Sequence, residues 1–142
     1  MKVLVLNGPN LDRLGTRQPE LYGATTLPEL EERLREHAAA RGAEVEFLQS
    51  PDARVLAEAI ASTDAGAIVI NPASLTHHAV VLRDAVAACT APVYEVHITN
   101  IHAREHFRRR SVISAVARGV VAGLGIQGYI AALDAAIEEG QR

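Results

Sequence analysis

The sequence predicts an α/β fold, a flavodoxin-like, doubly wound, five-stranded parallel sheet with helices on both faces. Two observations lead there. Five short runs rich in β-branched and aliphatic residues alternate with segments of helical periodicity, the pattern of repeated βαβ units. Several of those runs are continuously apolar rather than alternating, as parallel strands covered on both faces must be. The length agrees: 142 residues, 49% of them hydrophobic, make one ordinary domain with a real core. We therefore expect a single catalytic domain over 1–142.

The strands are read at Lys2 to Leu6, Glu44 to Leu48, Ala67 to Ile70, Val93 to Val96 and Gly119 to Leu124. The first helix places Leu27, Leu30 and Leu34 on one face. Thr26 with Glu29 forms a capping-box pattern before it, and Gly42 is a stop signal after it. Ser50-Pro51 reads as a cap and first helical position, with Val55, Leu56, Ala59 and Ile60 turned to the core. A third helix starts near His78 and ends before Ala91-Pro92. The last carries Ile126, Ile130, Leu133 and Ile137 on one face. For a doubly wound sheet of this size the expected strand order is 2-1-3-4-5, with ligands bound beyond the carboxyl ends of the strands.

Composition narrows the function. A net charge of -3 gives no general attraction to nucleic acid, and Arg108-Arg109-Arg110 is one short basic run. A single cysteine, Cys89, allows no intrachain disulfide and fits a reducing, cytoplasmic location. The apolar run Val3 to Leu6 is too short for a signal peptide or membrane span. Thirteen of the fourteen basic residues are arginine, and Lys2 is the only lysine.

The strand-end rule selects three segments. After the first strand come Asn7-Gly8-Pro9-Asn10 and a long stretch to Gly23 without strand or helix pattern. Connections of that length are often lids, and we take the lid as about 11–24. Arg17 and Tyr22 are its reactive members: a phenol titrates near ~10, and a neighbouring guanidinium favours the phenolate, a usable base. After the third strand come Asn71-Pro72-Ala73-Ser74-Leu75-Thr76-His77-His78, rich in groups that bind hydroxyls and carboxylates; Arg83 and Asp84 follow and alone read as a surface pair. The fourth strand ends Glu95-Val96-His97-Ile98-Thr99. Glu95 and His97 share a strand face. A carboxylate beside an imidazole fixes its tautomer and favours its protonated form, which suits a general acid; the same pair equally suits a structural hydrogen bond. A helix starting at Ile98 would leave the Ile98 and Thr99 amides free for an anion. Arg104 and Arg108 follow at helical spacing.

Other chemistries fit poorly. His102 and His106 are four apart, but Ala103 stands where a zinc protease has glutamate, and no cysteine cluster is present. Gly123-Leu124-Gly125-Ile126-Gln127-Gly128 matches a dinucleotide-binding glycine pattern. That pattern needs an acidic residue about twenty positions on, ending a second strand, and the residues that follow read as helix. A phospho-receiver domain would need clustered acids after the first strand, where Asn7 and Asn10 stand. No metal or cofactor is expected.

Taken together, the segments resemble the type II 3-dehydroquinate dehydratase family nearly end to end. The resemblance rests on Asn7-Gly8-Pro9-Asn10-Leu11, Leu14-Gly15-Thr16-Arg17, Tyr22-Gly23, Asn71-Pro72, Thr76-His77, Leu82-Arg83-Asp84-Ala85, Glu95 through Arg104, and Gly123 through Tyr129. It implies dehydration of 3-dehydroquinate to 3-dehydroshikimate through an enolate, without metal or Schiff base. The pathway would be shikimate biosynthesis toward aromatic amino acids, or quinate catabolism. In this resemblance Tyr22 removes a C2 proton, Arg17 holds it as phenolate, Asn10 helps stabilise the enolate, and His97, oriented by Glu95, protonates the departing hydroxyl. Asn71 and the amides of Ile98 and Thr99 would hold the carboxylate, and His77 and Arg108 the ring hydroxyls. Asp84 would reach a neighbouring subunit's site in a dodecamer of four trimers. The sequence departs from the family's usual residues at Pro51, Ala73-Ser74, His78, Thr99 and Val112. If position 73 needs positive φ, alanine is strained there.

Overall fold

The structure, a computed structural model, describes residues 1–142. Five parallel strands, β1 (Lys2–Asn7), β2 (Glu44–Gln49), β3 (Ala67–Asn71), β4 (Val93–His97) and β5 (Gly119–Ala122), form one sheet in the order β2-β1-β3-β4-β5. This is the expected flavodoxin-like order. The period of two in a strand divides each one between the two faces. Val3 and Val5 of β1, Val69 of β3 and Val96 of β4 pack under α2 (Leu27–Ala39) and α5 (Gln127–Gly140). Leu4, Leu6, Ile68 and Ile70 pack under α3 (Ala53–Ser62) and α4 (Val80–Ala88). Both faces are covered, which is why the central strands read as unbroken apolar runs.

Local signals explain most boundaries. The Thr26–Glu29 capping box is formed in both directions. Gly42 has φ 74, the left-handed conformation that ends the α2 turn. β5 stops at Ala122, two residues short of the expected Leu124, because Gly123 turns with φ 87.

Three expectations need correction. Ser50 does not cap α3. Its Oγ accepts from the Asp52 amide at 3.1 Å in a tight turn, and Asp52 caps the helix by accepting from the Arg54 amide at 2.9 Å. The helix thus starts two residues later than read, and Val55 is rotated to solvent while Leu56 and Ile60 stay buried. The lid is not featureless either: a 3-10 turn (Leu11–Arg13) and one α-helical turn, α1 (Pro19–Tyr22), lie in it, with Pro19 presetting the first position of α1 and Gly23 ending it at φ 85. A single turn is too short to show periodicity. Finally, the helix considered as a condition at Ile98 does not form, and no α-helix joins β4 to β5. Two 3-10 turns, Ile101–Ala103 and His106–Arg108, take its place.

Candidate active site

The carboxyl ends of β1, β3 and β4 open on a cavity of about 320 Å³, closed on one side by the lid. The first two ends meet closely. The Gly8 amide donates to the Asn71 carbonyl at 2.8 Å. A Cβ on Gly8 would stand 2.5 Å from the Pro72 carbonyl oxygen, so only glycine fits. Asn10 then turns left-handed with φ 68 and lines the cavity.

At the end of β4 the predicted pair is formed. His97 Nε2 contacts Glu95 Oε2, with both side chains buried on the α3/α4 face. The surroundings set the direction of that bond. Thr76 Oγ1 donates to Glu95 Oε2 at 2.7 Å and Ser114 Oγ donates to Oε1 at 2.6 Å. Ser111 Oγ lies 3.0 and 3.1 Å from the two carboxylate oxygens and 2.6 Å from Thr76 Oγ1. The Val112 amide donates to the Thr76 carbonyl at 2.7 Å and pins this serine-bearing loop beside the carboxylate. Burial alone would push Glu95 up. The hydrogen bonds from His97, Ser114 and Thr76, with the charge of His97, outweigh it and hold the carboxyl below its usual range. An ionised Glu95 only accepts, so His97 Nε2 donates to it. Nδ1 is left for a bound molecule, and when protonated it makes His97 an imidazolium acid.

Tyr22 is half-buried and lines the cavity from the lid. Its hydroxyl accepts from Arg104 Nη1 at 3.1 Å. The guanidinium expected beside it was that of Arg17, which lines the same cavity without bonding to Tyr22. Arg17 is five residues from Tyr22 along the chain, whereas Arg104 is brought to it across the cavity by the β4–β5 connection.

The residues expected to hold the substrate lie along the strand ends and the loops after them. Asn71, Ile98 and Thr99 all line the cavity. The amide nitrogens of Ile98 and Thr99 donate to no other group of the chain, so they are free although no helix begins there. His77 Nδ1 lies 2.7 Å from the Arg110 carbonyl, which can only accept, so Nδ1 carries the proton and Nε2 is left as acceptor. Arg108 lines the cavity and pairs with Glu105 at 2.9 Å, but its Nε–H is not aimed along that contact. Asp84 does not line the cavity: it is exposed on α4 and lies 3.6 Å from Arg83.

Sequence reasoning assigned no role to Arg104, Ser111, Ser114 or Tyr129. Thr76 was legible only as one polar member of the turn after β3. The available signal was Glu95 itself, because a carboxylate inside an apolar strand needs several donors.

An acid–base pair, a lid phenol beside a guanidinium and free backbone amides after β4, all around one cavity at the carboxyl ends of an open parallel sheet, have the make-up of an α/β acid–base enzyme. The comparisons specify the family. The sequence profile described as dehydroquinase class II matches residues 1–137, and the chain belongs to that family. It is 54% identical over 131 residues to a 3-dehydroquinate dehydratase of Kineococcus radiotolerans, covering 91% of this chain and 90% of that protein. It is 50% identical over 137 residues to the 3-dehydroquinate dehydratase of Shewanella oneidensis, covering 96% and 94%. The crystal structure of the type II dehydroquinase from Propionibacterium acnes superposes with a TM-score of 0.92 at 45% identity, covering 96% of each chain.

Proposed function

We propose that this chain is a 3-dehydroquinate dehydratase, a hydro-lyase that forms 3-dehydroshikimate through an enolate. The carrying observation is the placement of Tyr22 and the His97–Glu95 pair around one cavity. Tyr22, its hydroxyl bonded to the Arg104 guanidinium, is the base that takes a proton from C2 of the substrate. The electrons pass to the ketone oxygen, and Asn10, acting through water, stabilises the resulting enolate. When the enolate collapses, the C1–O bond breaks and His97 Nδ1 delivers its proton to the leaving hydroxyl, which departs as water. Glu95 balances the imidazolium charge before transfer.

The other site residues hold the substrate. The Ile98 and Thr99 amides and Asn71 take the carboxylate, and His77 Nε2 and Arg108 take ring hydroxyls. Arg17 is the lid arginine that completes the charge around the phenolate. An imine route lacks its nucleophile: Lys2 begins β1, at the end of the sheet opposite the cavity, and is paired with Glu46 and Asp64. We read the enzyme as needing no metal or other cofactor, and as cytoplasmic. Its assembly is a multiple of three subunits, a dodecamer in its complete form, with Asp84 serving a neighbour's site. No helix is long and apolar enough to cross a membrane.

The test is direct. Purified protein is mixed with 3-dehydroquinate after exhaustive chelation, and the ultraviolet absorbance of the conjugated product is followed. Turnover that survives both chelation and borohydride treatment with substrate is expected. No absorbance change would reject the assignment, and a substrate adduct on Lys2 would reject the enolate route.

A further inference from the structure

Three buried polar side chains from three elements meet beneath the carboxylate-binding edge of the cavity. Asn7 ends β1, Asn71 ends β3 beside it in register, and Tyr129 lies in the first turn of α5. Asn7, Asn71 and Tyr129 are 1%, 3% and 0% exposed.

The directions of their hydrogen bonds are forced. The Ala73 amide can only donate, and it lies 3.1 Å from Asn71 Oδ1, so the oxygen of that amide faces Ala73. Asn71 Nδ2 therefore faces Tyr129 and donates to its hydroxyl at 2.8 Å. The hydroxyl, having accepted, sends its own hydrogen to Asn7 Oδ1 at 2.7 Å. Burial pushes the Tyr129 phenol far above its ordinary range, so it stays neutral and keeps both roles at any working pH. Asn71 is left with one N–H and one oxygen lone pair uncommitted. Asn71 lines the cavity and Tyr129 does not.

We propose that Tyr129 is a positioning residue for substrate binding: its hydroxyl, held by Asn7, fixes the Asn71 amide so that the uncommitted N–H points at the substrate carboxylate. The proposal rests on the reading of Asn71 as a carboxylate ligand. It explains a phenol where phenylalanine would fill the same space. The ring packs from α5 into the core that this helix shares with α2 and the sheet, and a buried hydroxyl is costly to desolvate unless its bonds are used. A carboxylate ligand acts on bound substrate and transition state alike, so its loss should appear in KM more than in kcat.

Tyr129→Phe and, separately, Asn7→Ala are compared with wild type. Three readouts are taken: steady-state kinetics with 3-dehydroquinate, the melting temperature, and hydrogen exchange of the Asn71 side-chain amide in 1H–15N spectra. We expect KM to rise about tenfold, the loss of one oriented hydrogen bond, with kcat within about threefold. One Asn71 amide hydrogen, slow to exchange in wild type, should become fast. Asn7→Ala should move both quantities the same way, and it carries the test if Tyr129→Phe does not fold. A lower melting temperature with unchanged KM and unchanged Asn71 exchange would show a core bond only, and would overturn the proposal. A wild-type protein inactive on 3-dehydroquinate would reject the functional reading instead, and the exchange of the Asn71 amide would still decide the positioning.

Discussion

Arg104 Nη1 donates a hydrogen bond to the Tyr22 hydroxyl at 3.1 Å, joining residues 82 positions apart. It ties the lid to the connection after β4, which also supplies cavity-lining residues. One contact therefore joins the lid phenol to the loop that forms part of the cavity wall.

Tyr22→Phe should leave folding intact and lower kcat by on the order of 10²-fold or more. Arg104→Ala should do comparable damage. The double variant should be little worse than either single one, because both act on one proton transfer. Arg17→Ala should also slow turnover but couple less strongly to Tyr22. Steady-state kinetics of the two double-mutant cycles measure this. Near-wild-type kcat in Tyr22→Phe would leave the lid a cover and send the search for the base elsewhere.

The hydroxyl cradle of Glu95 makes a pH prediction. Its carboxyl is held below the usual range in the folded protein, while the unfolded chain titrates near ~4.3. Between those values the unfolded state binds more protons, so stability rises with pH there. The contribution is fully present above the unfolded value and is lost as pH falls through the folded one. Glu95→Gln lacks this dependence. Wild type should be the more stable at neutral pH, and the gap should narrow as pH drops below about 4. Denaturant titrations at several pH values measure it. A gap independent of pH would mean that Glu95 is not held ionised.

Ala73 has φ 52, in the left-handed region that a side chain disfavours. The strain costs about 1–2 kcal/mol, and glycine gives back part of the gain as unfolded-state entropy. Ala73→Gly should therefore stabilise the fold by roughly 0.5–1 kcal/mol. Its amide still donates to Asn71 Oδ1, so kcat should hardly move. Thermal melts and kinetics together check this, and a lower melting temperature would show that the methyl group's packing outweighs the strain.

The strain at position 73 was legible only as a condition, from the departure from the family's usual residue, whereas the strand-face pairing of Glu95 with His97 was legible from spacing alone. Both follow from local geometry, φ in one case and a period of two in the other. The partners of these residues were not legible. Ser111 and Ser114 reach Glu95 from 16 and 19 residues away, across a connection with no regular period. The bond from Arg104 to Tyr22 was hidden for the same reason, since proximity along a chain says little about proximity across a cavity. The Ser50 cap failed on a narrower point. A serine before proline suits a tight turn as well as a helix start, and Asp52 two residues on is the stronger competitor for the cap.

Asp84 is exposed on α4 and does not line its own cavity. If it completes a neighbour's site, each site depends on two chains, and two inactive variants can rescue each other. Tyr22→Phe lacks the base but carries Asp84. Asp84→Ala lacks the donated carboxylate but carries Tyr22. Unfolded together in equal amounts and refolded into cyclic trimers, a Tyr22-bearing subunit meets an Asp84-bearing neighbour at roughly a quarter of the sites. Activity should recover to about that fraction of wild type, while each variant refolded alone stays low. Light scattering on the same samples should give masses that are multiples of three chains. If Asp84→Ala alone were fully active, or the mixture no better than the average of its parts, the carboxylate would be a surface partner of Arg83 and each subunit's site would be its own.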